Sequence, residues 1–298
     1  MRFDDQISLA CGAYNVRLSP GAGARITALT WFDGRRDRHL LVPSDATASF
    51  DPHDWPKTGA FPMAPFTNKL ENGRFTWNGR EIVLPTPADS PHALHGLAHR
   101  KPWTLAHATR EHAALRYSHK PTDEGWPWSF DLNMDVTVTA DHVQVDLQIR
   151  NTSAEPMPAG LGWHPFHPVA NPVLTLTAAA RHDAGPQGLA VLTPSNGQAV
   201  HTARTLKGLG AQSTVFEEWD GRLSLSVEKN LVVDVEATGA RHLFCHVPAH
   251  ARHVCLEPVT LMPGALRHDD EAQRAACVAL APGAARAIRW RCAARLHT

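Results

Sequence analysis

The chain has 298 residues, with 29 Lys+Arg against 29 Asp+Glu, 19 His, 5 Cys and 23 Pro, and 43% of its residues are apolar. A formal net charge of zero, with no local Lys/Arg block, removes the electrostatic footprint of a nucleic-acid binder or a binder of anionic membranes. No run approaches the roughly 18 apolar residues of a membrane-spanning helix.

The charged start, Met1-Arg2-Phe3-Asp4-Asp5-Gln6, lacks the apolar segment of a secretory leader. Cys11, Cys245, Cys255, Cys277 and Cys292 are scattered and form no CxxC pair, which argues against a disulfide framework or a cysteine zinc site. The expectation is a soluble, cytoplasmic protein.

In chain order, residues 25–31, 75–84 and 115–118 carry strand-like alternation. The clearest case follows: Phe130, Leu132, Met134, Val136 and Val138 alternate with polar residues, Ala140-Asp141-His142 makes a turn, and Val143, Val145, Leu147 and Ile149 resume the alternation. That pair predicts an antiparallel hairpin with one wet face. The same pattern recurs at 173–178, 223–227, 231–235 and 254–256. Around the Pro282-Gly283 turn, Val278 and Leu280 on one side and Ile288, Trp290 and Cys292 on the other predict a closing hairpin. The stretch 269–276 is the one helix candidate. Many short strands punctuated by Gly and Pro predict an all-β fold, a large antiparallel β-sandwich, forming one domain over 1–298. Pro-rich patches at 52–65, 85–91 and 121–127 read as ordered loops.

Three loop-like segments hold chemistry. In Phe61-Pro-Met-Ala-Pro-Phe-Thr-Asn68-Lys69, two prolines fix a surface loop that delivers an amide and a cation suited to hydroxyl-rich ligands; a plain hairpin connection is the bland reading. In His92-Ala-Leu-His95-Gly96, the glycine permits close backbone approach, and Trp103 nearby could form an apolar wall, though a His-Gly pair is also an ordinary turn. In Gly160-Leu-Gly-Trp-His164-Pro-Phe, Pro165 biases His164 towards an extended conformation. That imidazole is either a rigidly presented general acid or base, or a backbone-bonded histidine in a strand corner. Glu257, at the end of an alternating strand and before Pro258, is costly to bury unless paired or functional; a solvated strand end is the alternative.

The histidines do not line up as a metal site. Gly96 interrupts the His92, His95, His99 group, and Pro248 breaks the helix that would align His242, His246 and His250, so no metal is expected. There is no GxSxG elbow, no GxxxxGK[ST] loop and no GxGxxG after a strand.

Taken in order, Asn68-Lys69 with Gly73-Arg74-Phe75, His95-Gly96 and Trp103, Gly160-Leu-Gly-Trp-His164-Pro-Phe, Glu257-Pro258 and Pro282-Gly283 resemble the aldose 1-epimerase (galactose mutarotase) family. The resemblance implies a β-sandwich whose concave face binds a sugar ring, with no metal or organic cofactor. It implies His164 as general acid, Glu257 as general base, His95 as a second histidine contacting the sugar, and Asn68 and Lys69 as substrate-binding residues. The implied partner is a small-molecule sugar, with no nucleic acid or membrane and a monomeric or homodimeric chain. Two departures stand out: Lys69 replaces the usual arginine, and the stretch before Trp219-Asp220-Gly221 has Ser213 and Thr214 where an aspartate is usual. The alternatives are a hexose 6-phosphate mutarotase, with Arg74, Arg100 and Lys101 as phosphate candidates, a non-catalytic sugar-binding module, and a histidine-rich metal-dependent hydrolase.

Overall fold

The computed structural model describes residues 6–45, 47–87, 90–121, 125–169, 172–183, 212–228, 230–249, 252–267 and 278–297, together with the backbone of 200–205. Their regular structure is almost entirely antiparallel strand, with three 3-10 turns. Among the described residues, cysteines 11, 245, 255 and 292 form no disulfide. The candidate helix at 269–276 falls outside the described residues.

The hydrogen-bonded ladder divides into two layers. In the front layer, Arg25–Phe32 pairs with Ala60–Met63, which pairs with Gly162–Pro168, then His253–Val259, His242–Val247 and the first residues of Gln212–Glu228. In the back layer, the second half of Gln212–Glu228 pairs with Leu231–Thr238, followed by Ala285–Leu296, Val143–Asn151, Phe130–Val138, His112–His119 and Thr104–Ala108. The 17-residue strand Gln212–Glu228 serves both layers. It turns between them where Glu218 (φ 47) and Gly221 (φ 84) adopt left-handed backbone and interrupt regular pairing. A Cβ on Gly221 would lie 2.4 Å from the Ala237 carbonyl oxygen, which explains why glycine stands at the corner.

Each layer turns its apolar face to the other. The expected hairpin forms as read, with Phe130 opposite Asn151 and Val138 opposite Val143, and its alternating apolar residues are buried. Trp163 of the front layer and Trp290 of the back layer, both almost fully buried, meet with ring centroids 6.0 Å apart.

The ends of the Pro282-Gly283 turn do not pair with one another. Ala279–Leu280 pairs with Met157–Pro158, whereas Ala285–Leu296 enters the back layer between Val143–Asn151 and Leu231–Thr238. Local alternation identified the strand correctly, but two long partners competed successfully for its edges.

Neither indole N–H in the Trp163–Trp290 contact has a hydrogen-bond partner among the described residues. Shape and apolar area therefore hold this pair. Trp290→Ala is expected to lower stability by about 3–5 kcal/mol, whereas Trp290→Phe, which removes an unpartnered polar atom, should cost less than about 2 kcal/mol; urea denaturation checks the gap.

Candidate active site

Two-residue alternation within the front layer sends core residues one way and polar residues the other. On Gly162–Pro168, Trp163 enters the core while His164 and Phe166 line a cavity on the opposite face. On His253–Val259, Val254 and Leu256 enter the core while His253, Cys255 and Glu257 line the cavity; on His242–Val247, Leu243 and Cys245 face inward while Phe244 and His246 line it. The cavity has a volume of about 600 Å³, inside the usual range for small-molecule sites.

The register sets its centre. Gly162 lies opposite Val259 and Phe166 opposite Cys255, which places His164 across from Glu257. The His164 Nε2 and Glu257 Oε1 atoms are 3.2 Å apart, and both side chains are buried. Phe61, opposite His164 on the neighbouring strand, stacks on the imidazole at 4.6 Å, and Phe166 stacks on it at the same distance. The two rings, themselves 6.1 Å apart, pack side by side against the imidazole. Beneath Phe61 lies the buried Arg25 guanidinium, 4.6 Å from its centroid, and Arg25 Nη1 donates to the carbonyl of Thr58 at 2.6 Å. This anchors the chain just after Trp55 and Lys57, which line the cavity with the Lys57 ammonium 4.4 Å from the indole centroid.

A two-residue ribbon, Lys69–Leu70 against Ala93–Leu94, joins the first two motif segments and places Asn68 and Lys69 beside His95. His95 N–H donates to the Asn68 carbonyl at 3.0 Å, and Asn68 Oδ1 accepts from Lys69 N–H at 2.8 Å. Asn68 and His95 both have φ of 58, a costly left-handed backbone for a histidine and a tolerable one for asparagine. Asn68 is buried, so the segment expected to be a surface loop is a packed wall. Gly96 acts as expected: at φ +71 an added Cβ would stand 2.1 Å from the Ala64 carbonyl oxygen.

Five residues singled out from sequence, Asn68, Lys69, His95, His164 and Glu257, thus line one cavity. Trp103 does not. It is buried elsewhere, its indole donating to the Ala98 carbonyl at 2.9 Å, and the apolar lining comes from Trp55, Phe166 and Phe244 instead. Of these, Phe166 belongs to the His164 motif, whereas Trp55, Phe244, Lys57, Asp183, His246 and His253 are not singled out by the sequence reading. Alternation over 242–247 places Phe244 and His246 on one face, a signal that a helical reading of His242, His246 and His250 hides.

Burial dominates the electrostatics. It holds His164 well below the ordinary histidine range, reinforced by the charges of His95, His246 and Arg25, and it pushes Glu257 well above the carboxylate range. His95 is lowered to about 3, by burial and then by Lys57, and His246 to about 4, by burial and then by His253. Partial burial also lowers Lys69. The His95 Nδ1, His164 Nδ1 and Glu257 Oε2 atoms are buried without hydrogen-bond partners among the described residues. Such atoms are costly unless a ligand satisfies them. Ligand atoms of His95, His164 and Glu257 also lie within 4.8 Å of one another, a donor set with the count a divalent ion needs.

A second depression of about 660 Å³ lies over the back layer. Its charges answer one another: Arg222 meets Glu236 at 3.3 Å, Ser224 donates to Asp234 at 2.5 Å, and Arg291 sits 3.8 Å from Glu236. In the front cavity, by contrast, buried atoms of His95, His164 and Glu257 stand without partners among the described residues.

The aldose 1-epimerase family model matches residues 5–258, and the chain belongs to that family. The uncharacterised protein YphB of Escherichia coli is 32% identical over 111 residues, so the match spans 37% of each chain. A solved, provisionally assigned aldose 1-epimerase from Escherichia coli superposes with a TM-score of 0.80 at 23% identity, covering 98% of this chain and 99% of that one. The GalM/aldose epimerase homologue of Caenorhabditis elegans gives 0.77 at 16% identity, covering 98% and 99%. At these identities the superpositions show the fold: a galactose mutarotase-like sandwich, as the alternation and motifs predicted.

Two outcomes follow from this geometry. Gly96→Ala should destabilise the protein by more than about 2 kcal/mol, since it adds backbone strain to a backbone clash; thermal and urea unfolding measure it. His95 and His167, the latter lowered by burial to about 4, stay neutral in the fold while the unfolded chain takes up protons below about 6.5. Stability should therefore fall as pH drops from about 7 towards 4, by on the order of 2 kcal/mol for each at pH 5. Glu257 has the opposite sign, its contribution being present at low pH and lost as pH rises through its raised value, and it offsets part of the slope. Urea curves from pH 7.5 to 5 test this, and a flat profile would contradict it.

Proposed function

We propose that the protein is a mutarotase that interconverts the α and β anomers of a free aldose such as galactose or glucose. The observation that carries the reading is the buried His164–Glu257 pair, 3.2 Å apart across two strands, in a cavity lined by polar groups.

A cyclic hemiacetal opens when its anomeric hydroxyl loses a proton and its ring oxygen gains one. Glu257 takes the hydroxyl proton, protonated His164 gives its proton to the ring oxygen, the C1 to ring-oxygen bond breaks, and an aldehyde forms. Rotation about C1–C2 presents the other carbonyl face, and the same groups reverse the transfers. With the ring open, Glu257 is protonated and His164 neutral. Burial favours those two forms, so the site stabilises the open-chain intermediate relative to the charged pair. His95, its ring 4.9 Å from that of His164, contacts the sugar near the ring oxygen, while Asn68 and Lys69 bind hydroxyls. Lysine offers a point charge where an arginine would offer a fork, so one hydroxyl is held less rigidly.

The phosphate reading loses its candidate residues. Arg74 meets Glu81 at the surface, the Arg100 guanidinium donates to the carbonyls of Leu94 and Gly96, and neither these nor Lys101 lines the cavity. The three-donor cluster keeps a metal-hydrolase reading in play; zinc well below one equivalent in a preparation active as a mutarotase, and activity unchanged by chelation, would dismiss it.

Polarimetry of freshly dissolved α-D-glucose and α-D-galactose, with glucose 6-phosphate as comparator, is the test. The parent should accelerate relaxation of a free sugar, and Glu257→Gln and His164→Asn should each lose about 10²–10⁴-fold in turnover while remaining folded. Equal turnover in variants and parent would refute the assignment. Sugar binding without acceleration by the parent would establish the binding-module alternative.

A further inference from the structure

We propose that Asp183 is a specificity-determining residue: its carboxylate accepts a hydroxyl at the end of the sugar remote from the anomeric carbon. The inference deepens the mutarotase reading and rests on it for the placement of C1.

Asp183 is the last residue of the strand Val173–Asp183 and lines the same cavity as His164 and Glu257. It lies opposite Thr214, whose own strand then pairs Ser213 with His246, and the next pairing joins Phe244 to Glu257. Three interstrand steps therefore separate the Asp183 and Glu257 backbones, roughly 14 Å at ordinary strand spacing. Across such a gap the two carboxylates address opposite ends of one ligand. If the anomeric hydroxyl sits at Glu257, Asp183 faces the far side of the ring or its exocyclic arm.

The chemistry suits that role. Glu257 and Asp183 are the carboxylates among the described residues lining the cavity. Glu257 is buried at the reaction centre, whereas the Asp183 side chain is 55% exposed at the rim. An ionised carboxylate accepts from hydroxyls and offers no donor. It is also held still: Asp183 Oδ1 accepts from Arg181 Nη2 at 2.7 Å, Thr214 Oγ1 at 2.9 Å and Arg181 Nε at 3.1 Å. A group fixed before the ligand arrives loses little freedom on binding. Beside it, Ser213 Oγ is hydrogen-bonded to His246 Nδ1 at 2.8 Å, continuing the polar rim. Ser213 and Thr214 carry no carboxylate of their own, and Asp183, paired opposite Thr214, brings one to that part of the rim.

The test combines Asp183→Asn, which preserves shape and the acceptor facing Arg181, and Asp183→Ala with the 3-, 4- and 6-deoxy forms of the preferred aldose. In the parent, one deoxy sugar should lose about 10–100-fold in kcat/KM relative to the full sugar, the weight of a hydrogen bond to a charged group. In both variants that same penalty should shrink towards unity, with the loss appearing in KM rather than kcat. Unchanged deoxy-sugar ratios, or a loss confined to kcat with a lowered Tm, would overturn the assignment and leave Asp183 a structural residue. Dissociation constants from NMR titration separate the two readings. A parent that binds without turnover but shows Asp183-dependent hydroxyl discrimination refutes the mutarotase reading and supports this one, and a parent that neither binds nor turns over any of these sugars refutes both.

Discussion

The register between Gly162–Pro168 and His253–Val259 is the constraint on which the rest of the site depends. In one register, Trp163, Val254 and Leu256 enter the core and His164 and Glu257 meet in the cavity. A slip of Gly162–Pro168 by one residue would exchange its faces, sending the imidazole into the core and the indole into the cavity. Hydrophobic burial resists that exchange strongly, because a large side chain would leave the core and a polar one would enter it. The distance between His164 and Glu257 is therefore set by the packing on the opposite face of the sheet, above all by Trp163 against Trp290.

The same burial that secures the fold tunes the chemistry. Aromatic rings exclude water around His164, and the loss of hydration moves both His164 and Glu257 towards their neutral forms. The cost is visible in buried polar atoms without partners and in left-handed backbone at Asn68 and His95. In the cavity such atoms belong to His95, His164 and Glu257, whereas in the back-layer depression Arg222 pairs with Glu236 and Ser224 with Asp234. Unsatisfied groups and strain of this kind persist where a ligand completes the structure.

Centre and rim differ in origin. The centre comes from His164 and Glu257, motif residues on adjacent strands. The rim is assembled from Trp55 and Lys57, Asp183, Ser213 and His246, which are distant in sequence. Arg25 orders one side of it through the Thr58 carbonyl, and cross-strand pairing with Thr214 orders the other.

Sequence alone determined the strand-rich architecture, because period-2 alternation is a local property and survives in any antiparallel sandwich. It also singled out Asn68, Lys69, His95, His164 and Glu257, since glycine and proline around a polar residue mark a backbone built to present it. It read the segment around His164 as loop-like, with Pro165 biasing His164 towards an extended conformation, yet Gly162–Pro168 is a strand between Ala60–Met63 and His253–Val259 whose ladder to the latter is interrupted around Pro165. It predicted a C-terminal hairpin where Ala285–Leu296 found two distant partners, and an apolar wall at Trp103 that Trp55, Phe166 and Phe244 provide. Only the tertiary structure decided these matters and brought Asp183 beside Thr214. Alternation states which way a side chain points relative to its neighbours in the chain, whereas the strand across from it is chosen by long-range competition for the same hydrogen-bonding edge and the same buried face.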